Sequence, residues 1–133
     1  MKAAVKDPLN DPEYHARLKK NVELREYVIK YMHDNKIDAF MYPLQSVLVV
    51  KTTEPKGQYA RNGLMASVTG LPAITLPGGF SKPDDTAPIG VPIGIEFMGE
   101  PFSEEKLIGF DYTYEQATHH RQPPAALPDL DFS

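Results

Sequence analysis

The hydrophobic positions change period along the chain, and the changes mark its elements. From residue 14 to 33, steps of 100° gather Leu18, Val22, Leu24, Val28, Ile29, Tyr31 and Met32 on one half of a helix. Lys19, Lys20, Glu23, Glu26, Lys30 and Asp34 fill the other half, with Arg25 the one exception on the apolar side. Asp11 suits the N-cap, Pro12 the first helical position and Glu13 the positive end of the dipole. Asn35 is expected to end the helix in a left-handed conformation. Residues 37–43 read as a short buried strand stopped by Pro43. Residues 44–55 are ambiguous, since Val47-Leu48-Val49-Val50 suits either a strand or a buried loop.

A second helix is expected over 59–69, with small residues on one side and Gly70 just past its end. Residues 73–76 form a second strand closed by Pro77-Gly78-Gly79. A third covers 92–99, placing Ile93, Ile95 and Phe97 on one face and Gly94, Glu96 and Met98 on the other. Ser103 is expected to cap a last helix that carries Glu104 and Glu105 in its first turn. Its apolar stripe is Leu107, Phe110, Tyr114 and Ala117, and Pro123-Pro124 ends what remains. Helices alternating with short apolar strands give an α/β pattern, with a partial mixed sheet of three to four strands flanked by amphipathic helices.

Composition narrows the class. A chain of 133 residues fits one domain. It divides into a lead-in over 1–13, a body over 14–124 and a proline-rich tail over 125–133. Net charge is −4, and no run of Lys or Arg exceeds two, so a nucleic-acid partner is not expected. No apolar run approaches membrane-spanning length, and the first residues lack the apolar core of a secretory signal, so no membrane partner is expected either. Cysteine is absent, which removes disulfides, thiolate metal ligands and a thiol nucleophile. A cytoplasmic protein is expected. The 13 prolines concentrate at 82–92 and 122–128, marking loops.

Four sequence blocks, in order, resemble the C-terminal part of the amidase signature family. The first is Ile37-Asp38-Ala39-Phe40-Met41-Tyr42-Pro43. The second joins Asn62 to Gly70-Leu71-Pro72-Ala73-Ile74-Thr75-Leu76-Pro77-Gly78-Gly79-Phe80. The third runs from Pro92 through Gly94, Glu96 and Gly99 to Phe102 and on to Glu104-Glu105-Lys106-Leu107. The fourth is Tyr114-Glu115-Gln116-Ala117-Thr118 with the 121–124 tail. The resemblance covers residues 37–124, and the first helix fits the family's preceding element. It implies a C-terminal fragment of the amidase-signature fold, from enzymes that hydrolyse amides or release ammonia for transamidation. They do so through an acyl-enzyme and without a cofactor. The family's Ser–Ser–Lys triad lies upstream in a Gly/Ser-rich segment. Here the serines are Ser46, Ser67, Ser81, Ser103 and Ser133, none in such a segment and none beside another. No catalytic residue is therefore assigned, and no metal ligand or cofactor is expected.

The resemblance implies that Ile74, Thr75, Pro77 and Gly78 lie near the acyl side of a substrate pocket and that Asn62 faces substrate. The plainer alternatives are a buried central strand with a tight turn for 72–80, and a loop-bonding amide for Asn62. Arg61 reads as a surface or ion-pairing side chain. Glu96, mid-strand among apolar neighbours, needs a basic or hydroxyl partner or an exposed edge. His119 and His120 suit a helix C-terminus, Asp84 and Asp85 a turn, and Tyr27, Tyr31, Tyr112 and Tyr114 packing.

Two functions follow as expectations. The chain is one part of an amidase, supplying scaffold and pocket wall and inactive alone, from a split gene or a processed or truncated chain. Alternatively it is a non-catalytic remnant that self-associates and acts as a binding module. Met1 and the helix start at Asp11-Pro12 fit a chain that begins at its own start codon. The parent is open between a free amidase, which Arg61-Asn62-Gly63 resembles more, and the amidase subunit of a tRNA-dependent amidotransferase. Either way, sheet edges and apolar faces call for a covering polypeptide, the missing amidase portion or a second copy.

Overall fold

The computed structural model describes residues 7–54 and 61–123. A 3-10 turn, Pro8–Asn10, leads into helix α1, Pro12–Asn35. Asp11 caps it as expected: its Oδ1 accepts from the N–H of Glu13 at 2.7 Å and of Tyr14 at 3.3 Å. The left-handed residue at the far end is Lys36 (φ 54°), not Asn35. Asn35 stays helical because its amide donates back to the Tyr31 carbonyl at 2.8 Å.

Strand β1, Phe40–Pro43, starts three residues later than expected and is half-exposed, because it lies at a sheet edge. Residues 44–54 contain no strand, and Leu48 and Val49 are exposed, so this segment is neither strand nor buried loop. Helix α2 is only Leu64–Thr69, ended by Gly70 at φ 64°. Of the segment expected to precede it, residues 59–60 lie outside the described residues, and 61–63 form a turn held to the end of β1.

Strands β2, Ala73–Phe80, and β3, Pro92–Met98, complete a three-stranded sheet of order β1-β3-β2. Both pairings are antiparallel, which corrects the mixed sheet expected from the sequence. β1 and β2 run the same way, but β3 inserts between them. The α/β alternation produces a crossover through α2 without direct parallel pairing.

β2 does not stop at Leu76. It runs through Pro77-Gly78-Gly79 with a bulge between Pro77 and Gly79. The Gly99 N–H donates to the Pro72 carbonyl at 3.0 Å. Alternation from that bond turns the peptide groups of Ala73, Thr75 and Pro77 toward the outer edge, where proline's missing donor costs no ladder bond. At Gly78 a Cβ would lie 2.7 Å from Ile95 Cγ2, so the bulge needs a glycine. β2 is thus an edge strand, not the buried central one.

The alternation expected of β3 holds. Ile95 and Phe97 pack with Leu76 and Leu107, joined by Phe110 and Tyr114 of helix α3, Glu104–Thr118. Met98, on the opposite face, packs with Val28, Met32 and Leu71. Leu18 and Val22 of α1 are exposed. The buried residues of α1, Val28 and Met32, lie in its C-terminal half, so its N-terminal half adds nothing to this core. Tyr27, Tyr31 and Tyr112 are likewise exposed, and Tyr31 stacks on Phe40 at 6.2 Å.

Ser103 occupies the N-cap of α3 without capping it, since its hydroxyl donates to the Glu100 carbonyl at 2.7 Å. Ala117 is exposed, and α3 ends at left-handed His119, before the prolines. Asp84 forms the expected turn, accepting from the backbone N–H groups of Thr86 and Ala87. The expected tail over 125–133 lies outside the described residues.

Gly90, at φ 82°, closes the loop between β2 and β3, and a Cβ there would sit 2.3 Å from the Ser81 carbonyl oxygen. Gly90→Ala is expected to lower stability by about 1–2 kcal/mol. Gly109→Ala, in α3 with open space around the added methyl, should be neutral or stabilising. Thermal unfolding of the two variants checks the pair.

Candidate functional site

The register places Tyr42, Glu96 and Thr75 opposite one another across all three strands, on the face that α1 covers only near Met98. Glu96 is 6% exposed, although it sits on the central strand. The Tyr42 hydroxyl donates to Glu96 Oε1, and the Thr75 hydroxyl lies 3.5 Å from Oε2. Of the partners considered for Glu96, hydroxyls are the ones found, and the exposed edge is not. Burial, then the hydrogen bond and charge of Glu96, push the Tyr42 phenol well above the ordinary tyrosine range. The Tyr42 phenol therefore keeps its proton.

A cleft of about 310 Å³ opens beside this row, lined by Leu44, Gln45, Arg61, Leu64, Ser67 and Glu96. Gly63 lets the chain pass close, since a Cβ there would lie 3.3 Å from Glu96 Oε2. Asn62 holds the wall in place. Its amide donates to the Pro43 carbonyl at 2.8 Å and accepts from the Ser46 hydroxyl at 2.8 Å. Its N–H donates to the Leu44 carbonyl at 2.9 Å.

The other residues singled out from the sequence separate. Ile74 turns toward α3 and the Leu76–Phe97 core, whereas Thr75 and Pro77 are on the opposite, exposed face. Thr75 and Pro77 border a second cleft of about 370 Å³, closed on one side by His120, Arg121 and Gln122. Gly78 lies at the bulge against Ile95. Asn62 lines a third hollow, with Phe40, Tyr42, Met65 and Met98. Thus Thr75 and Pro77 share one wall, while Asn62 and Ile74 lie elsewhere. His120 packs edge-on to Tyr114 with ring centroids 6.0 Å apart.

The hydroxyls of the four described serines are bound locally. Ser46 donates to Asn62, Ser67 to the Gly63 carbonyl, Ser81 to the Lys82 carbonyl and Ser103 to the Glu100 carbonyl. None of these bonds reaches a lysine or histidine, the general base a hydroxyl nucleophile needs. Among the described residues no helix is long and apolar enough to cross a membrane.

Residues important to this site were only partly legible. Glu96 stood out as an anomalous mid-strand acid, but its partner Tyr42 is 54 positions away, and only the register brings the two together.

No family model matches the chain. It is similar to the A subunit of glutamyl-tRNA(Gln) amidotransferase from Desulforudis audaxviator (strain MP104C), 34% identical over 90 residues, covering 65% of this chain and 17% of that protein. The same-named protein of Clostridium novyi (strain NT) is 35% identical over 97 residues, or 68% of this chain and 19% of the relative. That of Marinomonas sp. (strain MWYL1) is 30% identical over 108 residues, or 76% and 20%. The chain thus spans about a fifth of the length of these relatives. The solved structure of PAM12A superposes with a TM-score of 0.66 at 30% identity, covering 86% of this chain and 22% of that one. The chain is therefore similar, over part of its length, to the amidase component of the amidotransferase, itself an amidase-signature protein.

Proposed function

We propose that this chain supplies the C-terminal scaffold and substrate-pocket wall of an amidase-signature protein and is inactive without the portion bearing the nucleophile. The observation that carries this reading is the arrangement of the resembling blocks. They fall on β1, β2, β3 and α3, which pack as contiguous elements. The similarity to about a fifth of the amidotransferase component supports a partial unit. So do the hydrogen bonds of the four described serine hydroxyls, which go to an amide oxygen and to backbone carbonyls and not to a lysine or histidine. The relatives favour the amidase subunit of a tRNA-dependent amidotransferase over a free amidase as parent, and the reaction would be cytoplasmic.

A covering polypeptide belongs to the same proposal. Met41, Leu64, Met65, Ile108 and Tyr112 are exposed, and β2 presents unpaired peptide groups at its outer edge. Either the amidase portion with the Gly/Ser-rich segment or a second copy of this chain would cover them. Neither a nucleic acid nor a membrane surface has a counterpart in a chain of net charge −4.

Light scattering coupled to an ammonia-release assay on simple amides tests the reading. The chain alone is expected to show no turnover, and turnover is expected when a polypeptide carrying the upstream part of a relative is added. A stable dimer that no such addition activates would favour the self-associating binding module. Turnover by the chain alone would overturn the proposal, and Ser67→Ala and Ser81→Ala would then locate the nucleophile.

A further inference from the structure

We propose that the cleft beside Glu96 is a binding site for a small ligand bearing a primary ammonium group. Three features of the molecule point to it. Glu96 is buried, yet it faces a cleft of about 310 Å³ instead of solid core. Its two oxygens are unequal: among the described residues Oε1 takes the Tyr42 hydroxyl, whereas Oε2 has the distant Thr75 hydroxyl at 3.5 Å. A carboxylate accepts at about four lone-pair sites, so Oε2 keeps acceptor capacity on the cleft side. Gly63, which also lines the cleft, passes close to Oε2: a Cβ there would sit 3.3 Å from that oxygen and 2.5 Å from Leu44 Cδ1.

The lining sets the ligand class. A buried carboxylate calls for a positively charged N–H donor and repels an anion. No ion pair joins Glu96 to a cation among the described residues; Arg61 lines the same cleft, its backbone bridged to Gln45. Leu44 and Leu64 offer apolar contact to a short alkyl chain, and Ser67 borders the same cleft. A compact alkylammonium meets these demands, donating to Oε2 while its chain lies along the leucines. This site concerns Glu96 alone and does not depend on the amidase reading.

The test is an NMR titration of the full chain with n-butylammonium chloride, against 1-butanol as an uncharged probe of the same alkyl length. Butylammonium should shift the amides of Gly63, Ser67 and Glu96 in a saturable way, and butanol should not. Glu96→Gln, which keeps an acceptor but loses the charge, should weaken binding roughly tenfold. Ser67→Leu, which fills the exposed side of the cleft without touching the buried row, should abolish it. Equal shifts with butanol, no saturation, or saturation unchanged in either variant would overturn the proposal. If Glu96→Gln fails to fold, Ser67→Leu decides alone.

Discussion

Leu107→Ala is expected to lower the unfolding free energy by about 2–5 kcal/mol, the range for emptying a fully buried leucine site. Leu107 is 2% exposed and packs with Leu76, Ile95 and Phe97. It is the one fully buried side chain of α3, with Phe110 and Tyr114 only partly covered. Domains of this size hold only about 5–15 kcal/mol in total, so one truncation removes a large share of that margin. The aromatic contacts beside it are looser, with Phe97 tilted against Phe110 at 6.2 Å and edge-on to Tyr114 at 6.3 Å. Urea unfolding followed by circular dichroism measures the loss. Leu107→Met, which nearly conserves volume, should cost less than about 1.5 kcal/mol. Equal midpoints for Leu107→Ala and the parent would mean that α3 is not docked on the sheet in solution.

Tyr42→Phe is expected to cost about 2–3 kcal/mol, because it leaves a buried carboxylate without its principal donor. The hydroxyl contributes little to packing, so the loss belongs to the bond with Glu96. Replacing both partners, as Tyr42→Phe with Glu96→Leu, should cost less than the sum of the single changes, since no orphaned charge remains. Additive losses in that double-mutant cycle would refute the coupling. The same bond gives a pH signature. The folded protein holds the Tyr42 proton more tightly than the unfolded chain, through burial first and Glu96 second. The native state therefore binds more protons once pH exceeds the ordinary tyrosine value of about 10. The contribution is complete below that pH and declines as pH rises above it. Chemical denaturation from about pH 9 to 11 should show the parent losing stability faster than Tyr42→Phe, so the gap between them narrows.

Much of the local structure was legible along the chain because it rests on neighbours within one turn. Asp11 and Pro12 start α1 for reasons contained in three or four residues, and Gly70 ends α2 for the same kind of reason. The faces of β3 followed from strict alternation. Errors arose where a residue had a choice that distant chain resolves. Pro77-Gly78-Gly79 reads as a stop until β3 lies alongside. Then the proline falls on the outer edge and the glycine fits under Ile95. Ser103 has the right type and place for a cap, yet the Glu100 carbonyl takes its hydroxyl. Leu18 and Val22 keep the period of a buried stripe, but α1 joins the core only further along, through Val28 and Met32.

The candidate site divides the same way. The mid-strand acid, the serines without a base and the blocks resembling amidases are properties of the sequence itself. The sequence determined the element order, the alternation of apolar faces and the absence of a Gly/Ser-rich nucleophile segment, because these depend on residue type and short spacing. Only the tertiary structure decided that Tyr42, Glu96 and Thr75 form one row, that β2 is an edge, and that a cleft opens beside Glu96. Those facts follow from strand register and from which face each helix covers, and no local pattern encodes pairings between residues 54 positions apart.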